Sequence, residues 1–262
     1  MYSKTLVISS LFVCIACNNS SYSNQPANSP TASISKHAES ENPYATIKEI
    51  PMPAGFTRLS SNDLSFSNWL RQIRLKKDKI VYTFNGLPKR NQSAQFAVLD
   101  ITVGNTDLQQ CADAVMRLRA EYLFATNNYD AISFRDNEGK VYSFNPPYNR
   151  NNFSNYLNRV FGMCGSASLS KQLKSKTFDS ITAGDVLIRG GFPGHAVIVM
   201  DVAINKEGKK IYLLAQSYMP AQDIHVLVNP MNRNLSPWYE ADAGDVIETP
   251  EYIFSSRELK GW

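Results

Sequence analysis

GDVLIRGGFPGHAVIVMD, residues 184–201, holds two strand-forming runs parted by Gly190, Gly191, Pro193 and Gly194. Branched and aliphatic residues in short runs read as buried strands, and the glycine and proline cluster reads as a turn. His195, one of 3 histidines in the chain, stands at the head of the second run. Two purposes fit the glycines: a plain bulged turn, or a loop that keeps the backbone close to a cleft. The second would set Gly194 against a substrate and make His195 one half of a catalytic pair.

Outward from this stretch, the last third of the chain reads mostly as strand: DVLIRG, HAVIVMDVA, KIYLLAQSY and IHVLV, with KEGK as a turn. The first half reads differently. Residues 62–75 (NDLSFSNWLRQIRL) predict a helix capped near Asn62 or Asp63, KIVYTF and QFAVLDI predict strands, and Leu108–Ala125 predicts a long helix. AISF and KVYSF follow as short strands, then a helical FSNYLNRVFG. Helices gathered early and an antiparallel sheet late make an α+β fold. Of the 262 residues 43% are hydrophobic, enough for one core over residues 45–262. The net charge of +4 has no long basic block, so no nucleic-acid partner is expected, though mild affinity for anionic surfaces fits. A monomer is expected.

The N-terminus, MYSKTLVISSLFVCIAC, has Lys4, an apolar run and a small residue before Cys17. It reads as a secretory signal, too short to span a membrane comfortably. By pattern it resembles a bacterial lipoprotein signal, cleaved after Ala16 to leave Cys17 as the lipid-modified residue. It departs from that pattern at Cys14, where a large aliphatic residue is usual, and an ordinary cleaved signal is the alternative. The reading places the protein in the cell envelope, on the periplasmic face of a membrane and held to the bilayer by its lipid. Residues 17–44, rich in Ser, Asn and Pro, cannot bury enough surface to offset their ordering entropy and read as a flexible tether carrying a solvated His37.

The long helix carries the second candidate. Asp107 with Gln110 fits a reciprocal cap, placing Cys111 in the first turn, where free amides and the dipole favour a thiolate. Cys111 also heads the stripe Cys111, Val115, Leu118 and Tyr122, the core-facing side. Three readings stay open: a nucleophile, a small buried hydrophobe, or a disulfide with Cys164.

The order of a cysteine at a helix start, a histidine at the head of a strand and a polar residue on the next strand is similar to that of papain-like cysteine peptidases of the NlpC cell-wall type. QCADAVMRL would carry the cysteine, GDVLIRGGFPGHAVIVMD the histidine, and YLLAQSYMP the third residue, Gln216. DLQQCADAVMRLRAEYL, PGHAVIVMDVA, LLAQSYMPAQDIHVL and SPWYEAD further resemble a bacterial lipoprotein family catalogued as domain of unknown function 4846, which brings no known activity. The peptidase resemblance implies a papain-like fold and a cysteine amidase or peptidase acting on envelope material such as peptidoglycan peptides. A non-catalytic envelope-binding lipoprotein and a lipid acyltransferase are the alternatives. Cys111 would attack, His195 take its proton and Gln216 orient the ring. Gln110 could serve the oxyanion, but cannot easily cap the helix as well.

If the hairpin centres on Glu207 and Gly208, His195 lies opposite about residue 220. Gln216 then needs a register shift or bulge, which keeps Ser217 as its substitute. Asp201 lies about 20 Å along the strand from His195 and reads as polar termination. His225 reads as a surface strand residue, Arg117 and Glu121 as a helix-face pair, Arg119 as solvated or reaching an acidic substrate, and Asp185 as a turn holder. One strand histidine with no Cys or His at ligand spacing gives no metal signal, and no cofactor is called for.

Overall fold

HAVIVMDVAIN forms the longest strand of the molecule because every residue from His195 to Ala203 is buried, and a strand covered on both faces can be apolar without alternation. The computed structural model describes residues 41–262; the signal, Cys17, His37 and most of the expected tether lie outside the described residues. The strands are β1 (Phe56–Arg58), β2 (Gln95–Val98), β3 (Ser133–Arg135), β4 (Val141–Ser143), β5 (Lys174–Ser175), β6 (Val186–Arg189), β7 (His195–Asn205), β8 (Lys210–Gln216), β9 (His225–Leu227), β10 (Trp238–Glu240), β11 (Val246–Glu248), β12 (Ile253–Ser255) and β13 (Leu259–Gly261). The helices are α1 (Phe66–Arg71), α2 (Cys111–Ala125), α3 (Arg150–Met163) and α4 (Ser166–Gln172). The main sheet runs β2-β9-β8-β7-β6-β13-β5, with β1 added to β7 and β10 to β8, all antiparallel. The fold is α+β, as the sequence predicts.

One face of the sheet carries Ala196, Ile198, Met200, Leu213 and Ala215 against the helices, α2 above all. The other carries Val197, Val199, Tyr212 and Leu214 against Ile247 and Phe254 of the β11–β12 hairpin. The sheet is thus the middle of three layers.

Several elements differ from expectation for local reasons. Helix α1 is shorter, opened by Ser65 Oγ accepting from Asn68 N at 3.2 Å. KIVYTF makes only isolated bridges, Tyr82 to Pro88 and Thr83 to Gln222, since proline offers no N–H to continue a ladder. Asn42 is buried and donates to the Tyr44 and Lys76 carbonyls, so the folded domain begins before residue 45. The glycines of the β6–β7 turn meet a steric demand. A Cβ on Gly194 would lie 2.3 Å from the Gly191 carbonyl oxygen and 2.4 Å from Ser166 Oγ, and one on Gly190 would lie 2.3 Å from Ser170 Oγ. At these two positions the turn is pressed onto α4 too closely for a side chain, while Gly191 has open space around it and a φ of +109° that favours glycine.

Asp201 does not terminate the strand, which continues to Asn205. It is fully buried between two guanidinium groups, Arg58 Nε and Arg71 Nε, each at 2.6 Å. Those bonds tie β1 and α1 to the centre of β7. Asp201→Asn removes the counter-charge of both arginines and should cost about 3–5 kcal/mol of stability, read from urea midpoints. A loss below about 1 kcal/mol would mean that the group behaves as an exposed pair.

Candidate active site

The third residue of the site is selected by a bulge. Near the hairpin Asp201 pairs with Leu213, but beyond it Val199 pairs with Leu214 and Ile198 with Ala215, a slip of one residue between Val199 and Asp201. Such a slip exchanges the faces on which side chains emerge. Continued without it, the pairing would align Ser217 with the His195 side. With it, Gln216 faces the ring, and Gln216 Oε1 lies 2.8 Å from His195 Nε2. Ser217 Oγ instead sits 2.9 Å from the carbonyl oxygens of Gln109 and Gln222, tying β8 to the residues before α2. That hydroxyl is fully buried and does not take the part of a substitute for Gln216.

Behind Gln216 lies a polar network that sequence reasoning missed. Gln216 Nε2 donates to Glu251 Oε2 at 2.7 Å, and Glu251 Oε2 pairs with Lys89 Nζ at 2.5 Å. His225 is not a surface residue: β9 lies between β2 and β8, and the ring is fully buried. Its Nε2 lies 3.4 Å from Gln216 Nε2 and 3.5 Å from Lys89 Nζ, while Nδ1 lies 2.9 Å from the Asp223 carbonyl oxygen. Aromatic rings close over His195, Tyr218 and Tyr252 with centroids at 4.9 Å and Phe254 at 5.8 Å. Burial lowers the His195 pKa to about 4 against the bond to Gln216, and lowers that of His225 to about 3, helped by the Lys89 charge. Burial also lowers Lys89, against its Glu251 partner.

Cys111 is the first residue of α2, and Gln110 is the cap in place of Asp107. The Gln110 N–H donates to Asp113 Oδ2 at 3.0 Å, while its side chain donates to Asp107 Oδ1 at 3.2 Å and so is turned away from an oxyanion role. Asp107 also accepts from Ala221 N at 2.7 Å. The expected low thiol pKa is reversed. Burial, then the Asp113 carboxylate, raises Cys111 to about 11, and the N–H groups of Ala112, Ala196 and Cys111 itself only partly oppose them. The sulfur therefore sits against the peptide that follows His195. Among the described residues no hydrogen bond joins thiol and imidazole: Cys111 packs with Ala196 and Ile198 on the helix face of the sheet, whereas the His195 ring lies on the hairpin face against Tyr252 and Phe254, and both groups rest neutral.

The other expectations sort plainly. Cys164 and Cys111 are both free and buried, so no disulfide joins them. Arg117 and Glu121 approach to 3.8 Å, and Arg150 meets Glu121 at 2.5 Å. Arg119 lies over the rings of Phe66, Tyr122 and Trp262. Asp185 holds its turn by accepting from Thr182 N at 2.8 Å, and pairs with Lys176 at 2.6 Å. Gly194 packs on Ser166, which gives its glycine a structural reason.

A family model described as domain of unknown function (4846) matches residues 47–149 and 137–261, well over half of the chain. The chain belongs to the family of domain of unknown function 4846. No curated protein and no solved structure matches it. The two matched stretches of this 4846 domain together hold Lys89, Cys111, His195, Gln216, His225 and Glu251.

Both buried histidines titrate below the ordinary 6.5, so the unfolded chain of this 4846 protein binds more protons in mild acid. Their contribution to stability is present above about pH 6.5 and is lost as pH falls towards 4 and then 3. Asp113, raised by burial, acts in the opposite sense, so a variant is needed to isolate the imidazoles. His225→Asn should flatten the fall in urea midpoint between about pH 7 and about pH 4. Parallel profiles for the two proteins would contradict the assignment.

Proposed function

We propose that this chain is a cysteine hydrolase of the cell envelope, an amidase or peptidase with a papain-like, NlpC-type arrangement of Cys111, His195 and Gln216. The observation that carries the reading is the bond of 2.8 Å between His195 Nε2 and Gln216 Oε1, made possible by a one-residue bulge. An amide oxygen accepting from one ring nitrogen leaves the other nitrogen as the proton acceptor. Cys111, at a helix start, approaches the amide of Ala196, the residue after His195, from the helix side of the sheet.

In this mechanism ring and thiol, which rest on opposite faces of the sheet, meet past the end of β7, where His195 Nδ1 takes the thiol proton as Cys111 Sγ forms its bond to the substrate acyl carbon. The carbonyl electrons move onto oxygen, where N–H groups at the start of α2 can stabilise them. As the tetrahedral species collapses, the imidazolium gives its proton to the leaving amine and the C–N bond breaks. Water, deprotonated by the same nitrogen, then releases the acid and restores the thiol. Because the resting pair is neutral, proton transfer accompanies attack, by general-base catalysis. The expected export signal and Cys17 anchor would hold the enzyme to a membrane facing peptidoglycan, whose stem peptides supply amide bonds of the required class.

A second reading, a non-catalytic envelope-binding protein of the same fold, is favoured by the thiol itself: 8% exposed, raised in pKa and without a bond to the imidazole. Hydrolysis of peptidoglycan stem peptides, followed by mass spectrometry, separates the two. The hydrolase reading expects turnover that Cys111→Ala reduces by about 10³-fold or more. Turnover unchanged in Cys111→Ala would exclude this nucleophile, and no turnover, with Cys111 inert to an acyl-electrophile probe, would establish the second reading.

A further inference from the structure

The donors and acceptors around Gln216 allow only one orientation of its amide. A carboxylate can only accept, so the group 2.7 Å from Glu251 Oε2 must be the Gln216 NH2. His225 makes the same demand. Its Nδ1 donates to the Asp223 carbonyl at 2.9 Å, which leaves Nε2 as a lone pair 3.4 Å from that NH2. Turned over, the Gln216 oxygen would face a carboxylate and an imidazole lone pair together. Gln216 Oε1 is therefore committed to His195, and His195 Nε2 must carry the hydrogen.

We propose that Glu251 is a positioning residue that sets the tautomer of His195 through Gln216. Glu251 lies in the turn between β11 and β12, remote in sequence from the pair that it governs. Lys89 Nζ holds Oε2 at 2.5 Å, and Asn91 Nδ2 donates to Oε1 at 3.2 Å, so the carboxylate is itself fixed. The catalytic consequence, a lone pair kept on His195 Nδ1 for the Cys111 proton, rests on the hydrolase reading above. The tautomer does not.

Nitrogen-resolved NMR of the histidine rings tests this in the full chain. His37→Gln is the background, leaving only His195 and His225 to observe. One ring protonated at Nε2 and one at Nδ1 are expected near neutral pH, and two rings protonated at Nδ1 would overturn the proposal without any further variant. Lys89→Met combined with Glu251→Met removes the carboxylate without stranding the buried ammonium, a replacement that proteins often tolerate. The Nε2-protonated ring should then admit a measurable share of the Nδ1 tautomer, opposed only by the 3.4 Å contact of the Gln216 NH2 with His225 Nε2. A ring that remains wholly Nε2-protonated would overturn the role of Glu251 and would not bear on the hydrolase reading. Absence of hydrolysis by the natural chain would instead end the hydrolase reading and leave the tautomer result standing.

Discussion

The one-residue slip between β7 and β8 is the constraint on which the site depends. Before it, the pairing is anchored at Asp201, whose carboxylate is clamped by Arg58 and Arg71. After it, Val197 and Val199 keep to the hairpin side with His195, and Gln216 joins them. Val199 and Val202, three residues apart, lie in the same apolar layer, which regular alternation forbids and a bulge permits. The buried ion pair and the site are thus two ends of one irregular strand. The clamp fixes the pairing near the hairpin, and the bulge converts it into the pairing that the imidazole requires.

Burial sets the chemistry of everything attached to that strand. His195 and His225 lose their charge because water cannot reach them, and Lys89 is pushed in the same direction. What makes such a cluster tolerable is that each donor meets an acceptor: Lys89 with Glu251, Gln216 with Glu251 and His195, and His225 with Asp223. A buried network with one member missing is worse than none, since the remaining groups keep their desolvation cost. This explains why residues far apart in sequence converge there.

Much of the scaffold was legible in the chain. The apolar runs of β6, β7, β8 and β9 announce strands, and the stripe from Cys111 through Val115 to Leu118 announces the buried side of α2. The cap was ambiguous because Asp107 with Gln110 and Gln110 with Asp113 share one spacing, and only the second closes on the helix. His225 was misplaced because alternation shows which residues share a face, not whether another layer covers it. The bulge leaves no mark in the pattern of apolar residues, so Gln216 and Ser217 could not be separated until the pairing was seen. Lys89 and Glu251 gave no signal at all. One sits in a loop rich in turn residues and the other in a hairpin turn, and only the third dimension brings them together.

Cys111 and Asp113 pose the sharper electrostatic problem. Both lie in the first turn of α2, where the dipole should favour negative charge, and both are raised instead. Desolvation outweighs the helix start at each. Asp113 spends Oδ2 on the Gln110 amide and leaves Oδ1 buried without a partner. A second negative charge beside Asp113 is resisted, even though the two groups draw on different amides, those of Ala112, Ala196 and Cys111 for the thiol and those of Gln110 and Asp113 for the carboxylate. Burial first and Asp113 second therefore disfavour a standing thiolate at Cys111. Whatever nucleophilicity Cys111 has must arise as its proton moves to a base, at the moment a bond forms, rather than from a thiolate waiting in the resting site.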